Sequence, residues 1–231
     1  MQKHTKTTPN IPIIYEDNHL LVIDKPAGVL SQEDNSKNPD VLNLCKIYLK
    51  KKYKKPGNVY LGLVHRLDQP VSGLMVLART SKAASRLSEQ IREHAIDKTY
   101  WALVEGMTPM EQTLEHHLSK DKRTNFVKAY NSKKSFTKVA KLKFKTIKQS
   151  AHHSLVEVDL ITGRAHQIRV QMAKIGFPLW GDYKYGEVGN KPGKSLGLRS
   201  VKLSFIHPVT KEKMEFTANP PKLQPWNFFD Y

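Results

Sequence analysis

The chain has 231 residues, enough for one large domain or two small ones, with 39% hydrophobic residues and a formal net charge of +17. No apolar stretch approaches the roughly 20 residues that span a bilayer, and the polar start has no apolar signal core, so we expect neither membrane insertion nor secretion. The single cysteine, Cys45, excludes an intramolecular disulfide and indicates a cytoplasmic protein. The excess positive charge favours a polyanionic partner, with nucleic acid first and a membrane surface second.

The first fifty residues predict a tail, two short strands and a helix. Polar residues 1–10 are expected to be disordered. Apolar runs at 13–17 and 20–25 flank an Asp-Asn-His turn and predict strands, whereas 31–40 predicts a loop. The apolar spacing of 41–54 predicts a helix. The lysines at its end suit a solvated helix terminus through the dipole, and they equally suit contact with an RNA backbone.

The middle of the chain predicts a strand, a helix and a further strand. Residues 74–78 form a short apolar run, and Thr80 or Ser81 is suited to cap a following amphipathic helix. Alternating residues at 98–106 predict a strand. Residues 107–150 predict several lysine-rich strands and loops.

The last elements are a strand, a helix and a hairpin. Residues 155–161 predict the strand, and 164–175 predict a helix that Gly176 ends. Residues 201–206 and 213–218 predict a closing hairpin. Because strands outnumber helices without a regular strand–helix–strand alternation, we expect the α+β class with a mostly antiparallel sheet.

Charged residues cluster before the strand at 74–78, in a segment that reads V-H-R-L-D-Q-P-V-S-G from Val64 to Gly73. Arginine and aspartate are seldom buried unless paired. Arg66 and Asp68 therefore need either partners or a chemical role. Alone, such a cluster is most often a surface salt bridge.

A second segment reads L-I-T-G-R-A-H-Q-I-R-V-Q-M over 160–172 and continues as G-F-P-L-W-G-D-Y-K-Y-G over 176–186. On a helix, Arg169 lies about 100° from Ile168 and the apolar face. Arg169 is therefore able to reach inward at the edge of the core. An inward guanidinium requires a carboxylate or phosphate partner.

Together with Lys98-Thr99-Tyr100 and the opening E-D-N-H-L-L-V-I-D-K-P-A-G, these segments resemble the signatures of the RluA family of RNA pseudouridine synthases, from about residue 14 to residue 218. The resemblance implies one catalytic domain, placed at 11–231, with a bent mixed sheet flanked by helices and loops. It implies that Asp68 is the nucleophile of an isomerase that converts uridines of ribosomal or transfer RNA to pseudouridine. It also implies a monomer, here expected as a short form without an N-terminal S4 domain.

The resemblance further implies roles for Arg169 and Tyr100. Arg169 is expected to pair with Asp68, which favours the ionised carboxylate and fixes its orientation. Tyr100 alone would be an ordinary core tyrosine, but beside the other motifs it is expected to stack on the target base, with its hydroxyl available for proton transfer. Val71 stands where the family usually has threonine, and Gln69 where it often has arginine or lysine; neither departure changes Asp68.

A substrate-binding set is expected around these three residues: His65, Arg66, Arg164, His166, Gln167, Ile168 and Leu198. His65 is either a packed loop residue or part of the substrate entrance. Arg66 either fills the space left by an extruded uridine and binds phosphate, or forms a structural ion pair. Ile168 and Leu198 are candidate apolar walls.

No metal and no nucleotide cofactor is expected. The histidine pairs at 116–117 and 152–153 would point to opposite faces of a strand, and the sequence has neither a P-loop nor a G-x-G-x-x-G. Two other function classes stay open. One is a non-catalytic RNA-binding or ribosome-assembly protein, in which Asp68 would be dispensable. The other is a membrane-surface protein, which the lack of a basic amphipathic helix with bulky aromatics disfavours.

Overall fold

The computed structural model describes residues 10–34, 36, 38–186 and 196–229. The predicted tail, residues 1–10, lies outside the described residues except for Asn10. The described residues form strands, three helices and a short 3-10 turn in the following order: β1 (Ile13–Glu16), β2 (Leu20–Lys25), α1 (Val41–Lys52), β3 (Gly62–Leu63), β4 (Ser72–Ala78), α2 (Ser81–Arg92), β5 (Asp97–Glu105), β6 (Glu111–Lys120), β7 (Val127–Tyr130), β8 (Lys138–Gln149), β9 (His153–Leu160), α3 (Gln167–Lys174), β10 (Leu198–Ile206), β11 (Lys213–Thr217) and the 3-10 turn Trp226–Phe228.

All the strands join one sheet. Its main path runs β1-β2-β4-β10-β5-β9-β8-β6-β7, with β11 beside β10 and β3 beside β4. The pairing of β10 with β4 is parallel, and the other strand pairs are antiparallel. The predicted α+β class with a mostly antiparallel mixed sheet is confirmed. Within the described ranges, no helix is long and apolar enough to cross a membrane.

Strands β2 and β4 are apolar along almost their whole length because helices cover both of their faces. Leu21 and Met75 face the cluster that α1 joins through Cys45. Leu20 and Leu74 face a second cluster, which α2 joins. A strand buried on both faces reads as a continuous apolar run instead of an alternating one. Cys45 is fully buried, as expected for a packed helix residue.

Side-chain caps set the starts of the first two helices. Before α1, the carboxylate of Asp40 accepts the N–H of Asn43 at 2.9 Å. Before α2, the hydroxyl of Thr80 accepts the N–H of Ala83 at 3.1 Å. Of the two residues suited to cap this helix, Thr80 is therefore the one that does so. Each cap satisfies one amide that the first helical turn leaves without a partner.

The third helix begins later than the sequence predicts. The predicted range of 164–175 is wrong at its start, because α3 covers Gln167–Lys174. His166 has a φ of 51°, in the left-handed region that a right-handed helix does not use. Residues 164–166 therefore form a turn, in which the side-chain oxygen of Gln167 accepts the N–H of Arg164 at 3.0 Å. Gly176, with a φ of 88°, follows the helix end as predicted.

Strand β4 pairs with different strands at its two ends, and the charged segment at 64–73 ends at its first two residues. Its first residues, Ser72 and Gly73, pair with β10, whereas its last two pair with β3. Strand β10 approaches so closely that a Cβ atom at Gly73 would lie 2.2 Å from the carbonyl oxygen of Ser200. Gly73 also has a φ of 113°, which side chains rarely tolerate. The loop at 64–71 therefore connects the end of β3 to the start of β4, where β10 approaches.

Candidate active site

An open cleft of about 500 Å³ contains all the site residues that the sequence singles out. Its walls come from the loop between β3 and β4, from β5, from the turn before α3, from α3 itself and from the start of β10. The predicted residues that line it are Asp68, Tyr100, Arg169, His65, Arg66, Arg164, His166, Gln167, Ile168 and Leu198. Segments about one hundred residues apart in sequence thus meet at Asp68, whose side chain is 29% exposed.

The loop that carries Asp68 is fixed by side chains on both sides of it. The buried hydroxyl of Ser31 donates to the carbonyl of Leu67 at 2.7 Å and accepts the N–H of the same residue at 3.1 Å. His65 accepts the N–H of Val76 on its Nε2 atom at 3.0 Å. Burial, and then the charge of nearby Lys98, lowers the pKa of His65 to about 4, which suits an imidazole that accepts a hydrogen bond. His65 therefore holds the loop against β4.

Lys25 fixes the other end of this loop. Its fully buried side chain donates to the carbonyls of Gln69 and Val71, at 3.1 and 2.7 Å. Burial lowers the pKa of Lys25 to about 7, and the negative charge of Asp68 opposes this shift. Lys25, at the end of β2, therefore holds the backbone that follows Asp68.

Arg169 contacts Asp68, but a second carboxylate binds it more closely. Its Nε and Nη2 atoms donate to the two oxygens of Asp182 at 2.8 and 2.7 Å, and Nη1 donates to Oδ2 of Asp68 at 3.3 Å. Burial opposes the charge of Arg169, but hydrogen bonding and the charges of Asp182 and Asp68 raise its pKa. The predicted Arg169–Asp68 contact is present, and the principal partner, Asp182, is the one that the sequence reasoning missed.

His166 faces the same oxygen of Asp68. Its Nε2 atom lies 3.8 Å from Oδ2, and its Nδ1 atom lies 2.6 Å from the hydroxyl oxygen of Tyr185. Burial lowers the pKa of His166 to about 4, although the charge of Asp68 acts in the opposite direction. Above that pH the ring is neutral and presents one nitrogen to the carboxylate.

Tyr100, Ile168 and Leu198 supply apolar surface to the cleft, and all three are buried. Burial, and then the charge of Asp68, raises the pKa of Tyr100, so its hydroxyl stays protonated near neutral pH. A protonated phenol is able to stack on a planar ring and to donate a hydrogen bond, but it is not a base.

The other predicted residues occupy the rim and the turn. Arg66 is exposed at the mouth of the cleft. Arg164 is also exposed, and its Nε atom donates to the carbonyl of Val139 at 2.9 Å. Gln167 lines the cleft, but its side-chain amide bonds the backbone of Arg164 and the carbonyl of Lys141 at 3.0 and 3.1 Å. These bonds favour a structural role for Gln167 over direct contact with a substrate.

Four important side chains were missed as site residues: Lys25, Ser31, Asp182 and Tyr185. Asp182 and Tyr185 lie in the G-D-Y-K-Y-G segment, and Lys25 lies in the opening segment. Both segments carry the family resemblance, but no role was assigned to these three residues. Ser31 lies in a stretch that predicts only a loop, and nothing local distinguishes it.

One histidine of each predicted pair has an ordinary structural partner. His116 is buried beside the amide of Gln171, with 3.0 Å between the two nitrogens. His153 lies 3.1 Å from the carboxylate of Glu105. Over the described ranges, no group of three or more histidine, cysteine, aspartate or glutamate side chains is arranged to hold a metal ion.

The cleft therefore combines a fixed carboxylate, a buried cation, a neutral imidazole and a wall of aromatic and aliphatic side chains. A carboxylate in such a place is able to act as a nucleophile or a base on a bound ring compound. The exposed Arg66 and Arg164, with Lys120 at the rim, favour an anionic substrate such as a polynucleotide.

Sequence comparison identifies relatives of this chain. The family model described as RNA pseudouridylate synthase matches residues 19–174. The ribosomal large subunit pseudouridine synthase C of Buchnera aphidicola subsp. Schizaphis graminum is 36% identical over 219 residues, which cover 89% of this chain and 66% of that protein. The ribosomal large subunit pseudouridine synthase D of Zymomonas mobilis is 32% identical over 223 residues, which cover 92% and 70%. The chain thus spans about two thirds of the length of these relatives.

Structure comparison agrees on the fold. The solved structure of human RNA pseudouridylate synthase domain containing 4 superimposes with a TM-score of 0.76 at 22% identity, over 91% of this chain and 89% of that one. Human RNA pseudouridylate synthase domain containing 1 gives a TM-score of 0.74 at 23% identity, over 95% and 87%. The matched family model and the relatives above 30% identity show that the chain belongs to the RNA pseudouridylate synthase family, which confirms its resemblance to the RluA group.

Proposed function

We propose that the chain is an RNA pseudouridine synthase in which Asp68 is the nucleophile. The observation that carries the proposal is the Asp68 carboxylate, fixed in the cleft 3.3 Å from the guanidinium of Arg169. Ser31 and Lys25 hold the loop on either side of it. A preorganised carboxylate of this kind acts without first reorganising its surroundings.

The reaction requires one carboxylate beside the ribose and a place for a detached base. The bond between N1 and C1′ breaks, the uracil rotates, C5 joins C1′, and the hydrogen on C5 is exchanged with solvent. Attack on C1′ and removal of the 2′ proton both need an ionised carboxylate beside the sugar. The reaction is an isomerisation that consumes no cofactor.

The remaining predicted residues fit the two halves of a nucleotide. Tyr100 stacks on the uracil, and Ile168 and Leu198 exclude water from it while it is detached. Arg66 and Arg164, exposed at the rim, bind phosphates, and Arg66 fills the space that the extruded uridine leaves in the RNA.

We infer that the substrate is large-subunit ribosomal RNA, with transfer RNA as the second candidate. The named relatives from Buchnera and Zymomonas, which are ribosomal large subunit pseudouridine synthases, support the first choice. The net charge of +17 supports binding to either RNA. We further propose a cytoplasmic monomer with residues 11–231 as one catalytic unit, because one chain supplies Asp68, Tyr100 and Arg169 to the cleft.

The test is tritium release from RNA transcripts that carry uridine tritiated at C5. Transcripts of large-subunit ribosomal RNA and of transfer RNA are incubated separately with the wild-type protein and with Asp68→Ala. Release from the ribosomal transcript by the wild type alone is the expected result. Release from transfer RNA alone would replace the substrate and keep the reaction. No release from either RNA, with RNA binding intact, would favour the non-catalytic RNA-binding alternative.

A further inference from the structure

Tyr185 connects three parts of the cleft through one hydroxyl and one ring. Its oxygen accepts the N–H of Val127, the first residue of β7, at 2.9 Å. The same oxygen lies 2.6 Å from Nδ1 of His166. Its ring lies beneath the guanidinium of Arg169, with 5.2 Å from Cζ to the ring centroid, and against the edge of Phe126, with 5.6 Å between centroids.

The groups that face the two ring nitrogens of His166 favour a proton on Nε2. Burial raises the pKa of Tyr185 to about 12, so its hydroxyl is protonated and has one hydrogen to donate. The N–H of Val127 already donates to the Tyr185 oxygen. A hydroxyl that donates to Nδ1 leaves the single proton of neutral His166 on Nε2. The opposite tautomer would direct the Nε2 lone pair at the Asp68 carboxylate, 3.8 Å away, which is electrostatically unfavourable.

The charges around His166 are consistent with this assignment. Asp68 favours a proton on the facing nitrogen, whereas Arg169, Lys184 and Lys120 disfavour a second proton on the ring. Neutral His166 with its proton on Nε2 is therefore the state that this environment stabilises.

We propose that Tyr185 is a positioning residue that holds His166 as an Nε2–H donor aimed at Asp68 and at the ribose of the target uridine. The proposal rests on the proposed function, since it assigns the donor a substrate in the cleft. The left-handed backbone of His166 aims the ring, and the Tyr185 hydroxyl fixes its tautomer. The same hydroxyl ties the ring to β7, which follows the rim segment that contains Lys120 and Asn125.

The first test observes the wild-type protein directly. Two-bond proton–nitrogen correlation spectra of the ¹⁵N-labelled protein at neutral pH distinguish the protonated from the unprotonated ring nitrogen of His166. The expected result is a protonated Nε2 and an unprotonated Nδ1. A protonated Nδ1 in the wild-type protein would overturn the proposal, whatever the behaviour of any variant.

The second test uses Tyr185→Phe, which keeps the ring and removes the hydroxyl. The matched control is Tyr183→Phe, because Tyr183 is 46% exposed two residues away. In Tyr185→Phe we expect the single-turnover rate of tritium release to fall about tenfold, the scale of one lost hydrogen bond, with RNA affinity unchanged. The His166 spectrum of this variant should show both tautomers. Tyr183→Phe should match the wild type in rate and spectrum.

A double-mutant cycle separates action through His166 from a merely structural role. His166→Asn is the second variant, because asparagine tolerates the left-handed backbone but does not reach the Nε2 position. If Tyr185 acts through His166, Tyr185→Phe costs little further rate in the His166→Asn background. Equal losses in both backgrounds would overturn the proposal, as would a Tyr185→Phe protein as fast as the wild type. Failure of the proposed function is distinct, because the wild type would then release no tritium.

Discussion

Asp182 holds Arg169 through both carboxylate oxygens, at 2.7 and 2.8 Å, and leaves the Nη1 atom of the guanidinium for Asp68. The orientation of Arg169 is therefore set by a partner buried behind the cleft, before any contact with Asp68. Arg169 and His166 both approach Oδ2 of Asp68. Neither of these two contacts uses Oδ1 of Asp68.

Asp182→Asn is expected to destabilise the protein strongly. The substitution leaves a buried guanidinium without its principal anion, and breaking a buried pair in this way costs about 3–5 kcal/mol of unfolding free energy. Urea unfolding followed by circular dichroism measures the loss. Glu111→Gln is the control, because it breaks an exposed pair with Lys143 that solvent screens. Equal stability of the two variants would show that Asp182 does not support Arg169.

Acidification below pH 6.5 is expected to destabilise the fold, partly through His65. Its folded pKa of about 4 lies below the ordinary value of 6.5, so the unfolded state binds more protons between these two values. Stability is therefore fully present above pH 6.5 and is lost as the pH falls toward 4.

His65→Gln tests this origin, because the glutamine oxygen is able to accept the N–H of Val76 and does not titrate. Unfolding free energies at pH 7.5 and 5 are compared for the variant and the wild type. The variant should lose less stability on acidification, and His166, with its similarly lowered pKa, should account for part of the remaining loss. An identical loss in both proteins would exclude His65 as a source.

Gly73→Ala is expected to disrupt the start of β4. A Cβ atom there would lie 2.2 Å from the carbonyl oxygen of Ser200, and the φ of 113° adds backbone strain. We expect a loss of at least about 2 kcal/mol in unfolding free energy, together with lower activity, since the Asp68 loop ends at this strand. Gly57→Ala, where a Cβ atom meets nothing within 4 Å, is the control. Similar stability of the two variants would contradict the close approach of β10.

Local signals in the sequence predicted the three helices and most of the longer strands, although not the start of α3. Thr80 is recognisable as a cap because its partner, Ala83, lies three residues away. The apolar runs of β2 and β4 and the turn at Gly176 are local in the same way. Asp68, Tyr100 and Arg169 were found because each lies in a motif that carries the family resemblance.

The supports of the site were missed because their partners are remote in sequence. Ser31 is 36 residues from Leu67, and Lys25 is 44 residues from Gln69. No periodicity or spacing predicts such bonds. The start of α3 was wrong for a related reason: His166 adopts a left-handed backbone within a turn that Gln167 bonds to Lys141, 26 residues away.

The most direct test of the central claim is single-turnover tritium release by Asp68→Asn on the RNA that the wild type modifies. Asparagine keeps the size of the side chain and removes the nucleophilic carboxylate. We predict that the rate falls at least about a thousandfold, as expected when a nucleophile is removed. RNA affinity should stay within about threefold of the wild type, because phosphate contacts supply most of it. Tritium release by Asp68→Asn at a rate close to that of the wild type would contradict the account.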